Sequence, residues 1–170
     1  MSTPDERARL TECQAELVRA LLRGGERPAG FDADRLDTAS AALAHKRRRA
    51  AAAAWPALAR ERGARFAELF AAYRAAVPLP RRGGPSTDAY FFARWLDERG
   101  ELPAALRPAM MSVRLRNVVR ADGLLPRRGP AVDVGRSDGR WHLALRWPGV
   151  GEWWLPLPLP RRRACGTPFA

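Results

Sequence analysis

The sequence has few of the side chains that most often carry out chemistry. Of its 170 residues, only two are cysteine and two are histidine. Cys13 and Cys165 lie near opposite ends of the chain, which indicates neither a disulfide framework nor a metal-binding pair. His45 and His142 lack an HxxxH or HExxH partner, and there is no P-loop, GxGxxG or GxSxG motif. The sequence therefore predicts no catalytic residue, no metal ligand and no cofactor in this chain.

Long apolar runs are missing as well. No stretch approaches the roughly 18 consecutive apolar residues that a membrane-spanning helix needs. The first ten residues, MSTPDERARL, contain acids and bases where a signal peptide needs an apolar run. We therefore expect a cytoplasmic protein without a membrane partner.

Positive charge is in excess. Thirty cations against 18 anions give a formal net charge of +12, and Lys46 is the only lysine. Such a charge attracts acidic partners, which are nucleic acid, anionic membrane, or an acidic peptide or protein. The abundance of arginine, alanine, glycine and proline is also typical of a GC-rich genome, so a purely compositional origin of the charge stays open.

Residues 1–105 predict helices. One helix is expected to start at Asp32 or Asp34 and to end at Trp55, because proline disfavours helical geometry in the residue before it. Pro56 then suits the first position of a short helix that Gly63 closes.

Two further helices carry most of the aromatic residues. Ser86 or Thr87 is expected to cap the second of them, and Gly100 to stop it. The helical spacing of the large apolar side chains predicts a core rather than a ligand cage; they are Phe66, Leu69, Phe70, Tyr73, Val77, Phe91, Phe92, Trp95 and Leu96.

The C-terminal part predicts strands. AVDVGR and RWHLALRW flank a Ser-Asp-Gly turn and predict a β-hairpin, and EWWLPLPLP supplies a further strand after the turn PGVG. The segment Met110 to Ala121 is compatible with strand or helix. We predict an α+β protein with a helical domain at 1–105, a small antiparallel sheet of three or four strands at 106–160, and a basic tail at 161–170.

The faces and edges of this sheet differ. One face of RWHLALRW is apolar and must pack on the helices or on a partner protein; it consists of Trp141, Leu143, Leu145 and Trp147. Pro156, Pro158 and Pro160 share one parity, so their missing N–H groups block one edge of the last strand. A binding edge is therefore expected at the other end of the sheet, in AVDVGR or in the segment after Met110.

The run KRRRAAAAAWPALARERG from Lys46 tests whether the charge forms a nucleic-acid-binding stripe. At about 100° per residue the four cations scatter around the helix. Arg47 falls on the stripe of Leu36, Leu43, Ala50 and Ala54 that we expect to be packed, and Arg49 points into solvent. Arg47 is therefore expected in a buried ion pair or in a contact with a partner.

The same region resembles a known family. HKRRRAAAAAWPALARERGARFAELFAAYRAAVP is similar to an N-terminal helical domain that is often labelled a DNA-binding domain, and FFARWLDERGELP is similar to its closing Phe-x-x-Trp-Leu helix. The matching positions are Lys46, Arg47, Trp55, Pro56, Gly63, Phe66, Phe70 and Tyr73. With a small β-rich part after it, this domain resembles the partner subunits of multinuclear non-haem iron-dependent oxidative (MNIO) enzymes, of which the partner in methanobactin biosynthesis is one.

The resemblance implies a non-catalytic subunit that binds a ribosomally made precursor peptide and presents it to a separate iron enzyme. We expect the peptide at the open sheet edge, at Ala131, Val132, Asp133, Val134 and Arg136. We expect the enzyme contact at Arg47, Trp55, Trp153 and Trp154. Two alternatives stay open, a nucleic-acid-binding regulator that uses the arginine-rich surface and a structural protein whose tryptophans close its own core.

Overall fold

The α+β class is confirmed. The computed structural model describes residues 3–23, 30–137 and 139–158. The chain divides into two compact units, a helical unit of Met1–Glu101 with Arg120–Leu124, and a β unit of Leu102–Val119 with Leu125–Ala170. The predicted basic tail at 161–170 lies outside the described residues.

Local capping sets the helix boundaries in the helical unit. Its helices are α1 (Pro4–Arg23), α2 (Ala33–Ala54), α3 (Pro56–Arg62), α4 (Phe66–Ala76) and α5 (Gly84–Asp97). Asp32 caps α2 by accepting a hydrogen bond from the Arg35 N–H at 3.0 Å. Trp55 ends α2, Pro56 begins α3 and Gly63 ends α3, so these three boundaries are confirmed.

The start of α5 was predicted wrongly. Neither Ser86 nor Thr87 caps this helix, which begins at Gly84 with Gly83 as the capping residue. Gly83 has a φ of 90°, a left-handed conformation that glycine adopts without steric cost. The helix can therefore begin earlier, and Thr87 lies buried in its first turns. At the other end α5 stops at Asp97, and Gly100 follows with a φ of 69°.

An aromatic cluster fills the core of the helical unit, as expected. The rings of Phe66, Phe70 and Phe92 lie 5.2–5.9 Å apart. Tyr73 and Trp95 extend the cluster, and the Tyr73 side chain is fully buried. Since most of these pairs meet edge-to-face or tilted, the geometry is the one that aromatic quadrupoles favour.

The packed face of α2 is rotated from the predicted one. Leu43 is 39% exposed and Ala54 is exposed, whereas Ala51 is 2% exposed. Arg47 itself is buried as predicted, in an ion pair within the unit, and the buried alanine is Ala51, one turn after it. Arg49 is exposed, as predicted.

The ambiguous segment Met110 to Ala121 forms both structures in turn. Helix α6 spans Arg107–Arg116, and strand β1 (Asn117–Arg120) follows at once. β1 pairs with β2 (Gly123–Pro126) in a two-stranded sheet. The predicted hairpin forms β3 (Ala131–Ser137) and β4 (Arg140–Trp147), and β5 (Gly151–Leu157) adds a third antiparallel strand in the order β3-β4-β5.

Helix α6 covers one face of the three-stranded sheet. Met111 and Leu115 pack on Ala131 and Ala144, with Trp154 beside them. A Cβ atom at Gly135 would lie 2.5 Å from the Met111 sulfur. Small residues on this face therefore let the helix approach the strands closely. Among the described helices none is both long and apolar enough to cross a bilayer.

Candidate functional site

Strand β3 is an edge of the sheet. Strand β4 lies in the middle, so β3 and β5 each have one side without a neighbouring strand among the residues that the structure describes. All five residues predicted to bind peptide lie in β3, and Gly135 completes their run. The prediction thus falls on one continuous edge strand.

Proline fixes which backbone groups pair inside the sheet. Pro156 lies opposite His142 in the β4–β5 register and has no N–H to donate. In an antiparallel ladder hydrogen-bonded pairs alternate with pairs that are not bonded to each other. The bonded pairs between β4 and β5 are therefore those of Leu155 with Leu143 and of Leu157 with Trp141. The backbone N–H and C=O of His142 therefore point away from β5 and toward β3.

The same alternation identifies the groups on the open edge. His142 and Ala144 bond to their partners Gly135 and Asp133, so the backbone N–H and C=O groups of the even-numbered residues face outward. These residues are Val132, Val134 and Arg136. In agreement, the Val134 N–H donates to the Asp133 carboxylate at 3.0 Å instead of to a strand.

The edge of β5 is less suited to strand addition. By the same alternation, Pro156 faces away from β4, and Pro158 follows the end of the strand. Each proline removes one donor from that side. Pro160, the third residue of the predicted block, lies outside the described residues.

The face of the sheet opposite α6 is apolar and exposed. Val132, Leu145 and Trp153 lie side by side across the three strands, and Val134, Leu143 and Leu155 form the next row. Val132 is 65% exposed and Trp147 58%. Apolar patches of this kind on monomers mark interaction sites. Helix α6 therefore does not cover the tryptophan face of β4. The side chains of Val132, Val134 and Arg136, whose backbone groups form the open edge, lie on this same exposed face.

The two tryptophans of β5 lie on opposite faces. Trp153 is 45% exposed and lies on the apolar face. Trp154 is half-buried and packs against the cluster of Met111 and Leu115 under α6. Trp55, in the helical unit, is half-buried at the junction of α2 and α3. Of the residues expected at the enzyme contact, Trp153 and Trp154 thus lie on opposite faces of the same sheet.

Arg47 lies in a buried ion pair between α2 and α5. Its Nε and Nη2 atoms donate to the two Asp88 carboxylate oxygens at 2.6 and 2.7 Å, and the two side chains are only 10% and 4% exposed. The Tyr73 hydroxyl donates to the same carboxylate at 2.8 Å. The Arg47 guanidinium also lies 5.5 Å from the Tyr73 ring centroid, within the range of a cation–π contact.

The network stabilises the protonated forms of its donors. Burial alone would lower the pKa of Arg47, but the hydrogen bonds and negative charge of Asp88 outweigh it and raise that pKa. Burial, and then the charge of Asp88, raise the pKa of the Tyr73 phenol. Arg47 is therefore a charged structural anchor of three helices, α2, α4 and α5.

The model of one protein family, the SCO6045-like C-terminal domain, matches residues 11–98, just over half of the chain. The chain belongs to this family. No curated protein and no solved structure matches it. The SCO6045-like domain comprises most of the helical unit, including the Arg47–Asp88 pair, whereas the three-stranded sheet lies outside the matched residues.

Asp88 is the residue of the SCO6045-like domain that sequence reasoning missed. It precedes Phe92 by four residues and Trp95 by seven, so helical spacing alone places it on the buried face of α5. A carboxylate on a buried face needs a cationic partner, and the position of Arg47 on the packed side of α2 was the signal that could have identified that partner. In the part of the chain that the structure describes, no three His, Cys, Asp or Glu side chains are grouped to hold a metal ion.

Proposed function

We propose that this chain is a non-catalytic accessory subunit that binds a ribosomally made precursor peptide and presents it to an MNIO-type iron enzyme. The observation that carries the proposal is the open edge of β3, where Val132, Val134 and Arg136 expose backbone hydrogen-bonding groups. Membership of the SCO6045-like family is compatible with the resemblance to MNIO partner subunits. The iron belongs to the partner enzyme.

Strand addition supplies both affinity and selectivity. A peptide that pairs with β3 gains backbone hydrogen bonds, while its alternate side chains extend one face of the sheet. That face is the apolar one, since Val132 and Val134 contribute to it. A precursor with alternating apolar residues would therefore be preferred to a uniformly polar one.

The apolar face supplies a surface for the enzyme. Trp147 and Trp153 are large and exposed there, and tryptophan is enriched among residues that dominate protein interfaces. A bound peptide strand would lie beside this face, so one partner covering the face would also contact the peptide. We assign the enzyme contact to Trp153 rather than to Trp154, because Trp154 packs against α6.

The test is co-purification of this chain with an MNIO-type iron enzyme and a short precursor peptide, both to be sought among its neighbouring genes. Val134→Pro removes an outward N–H, which otherwise donates to the Asp133 carboxylate, and leaves the hydrogen bonds between β3 and β4 in place. It should weaken peptide binding at least about tenfold, since each lost hydrogen bond costs about 1 kcal/mol and the ring also obstructs the added strand. Val134→Thr keeps the backbone donor and is the matched control.

Trp153→Ser should release the enzyme and leave peptide binding within about twofold of the wild type. The proposal is wrong if the chain retains neither partner, or if Val134→Pro binds peptide as Val134→Thr does while both stay folded by circular dichroism. Retention of DNA alone, with an affinity that falls steeply as salt rises, would support a nucleic-acid-binding regulator instead.

A further inference from the structure

The helical unit contains a cleft between its helices. It has a volume of about 380 Å³, within the range of ligand-binding pockets. Residues of α1, α2, α4 and α5 line it together with the segment Leu79 to Arg81. All of these residues belong to the helical unit, so the cleft is formed within it.

Cationic side chains surround this cleft. Lys46, Arg74 and Arg81 line it, and in residues 3–23, 30–137 and 139–158 none of the three has a carboxylate partner. The one acidic side chain in the lining, Asp88, is already paired with Arg47. The cleft therefore has a net positive charge that nothing in the described chain neutralises.

Apolar groups supply the rest of the lining. Leu43 and Leu79 are 39% and 38% exposed, and Pro80 and Pro85 lie beside them. A small anion such as phosphate would leave these groups uncovered. No aromatic ring of the described residues lines the cleft, so these residues give it no stacking surface of the kind with which single-stranded nucleic acid is bound.

We propose that this cleft binds a short acidic peptide segment, whose aliphatic side chain lies between Leu43 and Leu79 while its carboxylates contact Lys46, Arg74 and Arg81. The charge of the lining selects the acidic residues, and the exposed leucines select the aliphatic one. This inference does not rest on strand addition at β3, because the cleft and the sheet edge belong to different units.

The probe is a fluorescein-labelled hexapeptide of two leucines flanked on each side by two glutamates, and the readout is fluorescence anisotropy. We expect saturable binding that weakens as salt rises. Lys46→Glu and Arg74→Glu should each weaken it about fivefold or more, since each turns an attraction into a repulsion. Arg49→Glu is the matched control, because it makes the same change of charge on an exposed face of α2 and should change the affinity less than about twofold.

A second peptide with serines in place of the leucines should bind at least about fivefold more weakly, because it cannot cover the apolar lining. Equal weakening by Arg49→Glu and Lys46→Glu would overturn the proposal, since it would show attraction by the total charge alone. Equal binding of the serine peptide would overturn it too. Val134→Pro should leave the hexapeptide affinity unchanged, and its loss in that variant would place the peptide at the sheet edge instead.

Discussion

Arg47 shows how one side chain decides the interpretation of a charged run. In the sequence it is one of four successive cations, but its guanidinium makes two hydrogen bonds to Asp88 and lies over aromatic rings. Its neighbour Lys46 lines the cleft without a carboxylate partner in the described part of the chain. The two adjacent cations therefore have separate roles: Arg47 is structural, and Lys46 is available to a ligand.

Removing one partner of the buried Arg47–Asp88 pair should destabilise the protein far more than replacing the whole network with apolar side chains. Asp88→Ala leaves Arg47 buried without its counter-charge and should lower the free energy of unfolding by about 3–5 kcal/mol. The triple variant Arg47→Met, Asp88→Leu, Tyr73→Phe replaces the network with apolar groups and should lose less than about 2 kcal/mol. Chemical denaturation monitored by tryptophan fluorescence measures both values.

If the triple variant is as unstable as Asp88→Ala, the cost does not come from an uncompensated buried charge, and the interpretation of Arg47 as a structural anchor fails. The comparison depends on both variants having the same denaturant m-value, which checks that they unfold in the same way.

At the scale of elements, local sequence patterns located helix ends and strands, but not which faces of these elements pack together. The Trp55-Pro56 boundary and the β3–β4 hairpin were predictable because proline geometry and strand alternation act on neighbouring residues. Alternation also gave the two faces of β4, but which face α6 covers depends on Gly135 and Met111, which are 24 positions apart (135 minus 111). The start of α5 was missed for a local reason, since Gly83 adopts a left-handed φ of 90° and a Cβ atom at this position would clash with the Thr87 hydroxyl.

The ion pairs of α6 with the sheet predict an acid-sensitive docking of this helix. Glu152 in β5 accepts hydrogen bonds from Ser112 at 2.7 Å and from Arg116 at 2.6 Å. Burial alone would raise the pKa of Glu152, but the bonds from Arg116 and Ser112 outweigh it and lower that pKa. As the pH falls below about 4.5, the unfolded chain takes up this proton before the folded one does, so the stabilisation by Glu152 is present above that pH and is lost below it.

Glu152→Gln should therefore destabilise the protein by less than about 1 kcal/mol at neutral pH, because Arg116 is largely exposed. The difference from the wild type should shrink as the pH falls from about 5 to about 3. Thermal unfolding across this range measures it, with Glu61→Gln, an exposed carboxylate on α3, as the control. A difference that stays constant with pH would mean that the charge of Glu152 does not contribute.

Over the whole molecule, two surface properties oppose each other. The net charge of +12 repels a second copy of the chain, while the exposed face of Val132, Trp147 and Trp153 favours association. At low salt the repulsion acts over distances longer than the apolar contact does. Salt screens the repulsion without weakening apolar burial, so higher salt should strengthen self-association. Nucleic-acid binding would weaken as salt rises.

We therefore expect that the chain, purified without a partner, self-associates more strongly as salt rises from about 0.01 M to about 1 M, over which the screening length falls from about 30 Å to about 3 Å. Sedimentation velocity measures the average mass. Leu155→Ser, on the apolar face, should suppress the association, whereas Leu10→Ser, an equally drastic change at an exposed leucine of α1, should not. Association that weakens with salt would show that charged groups hold the copies together. In that case the apolar face would not be the surface that drives assembly, and the assignment of the enzyme contact to Trp153 would lose its physical basis.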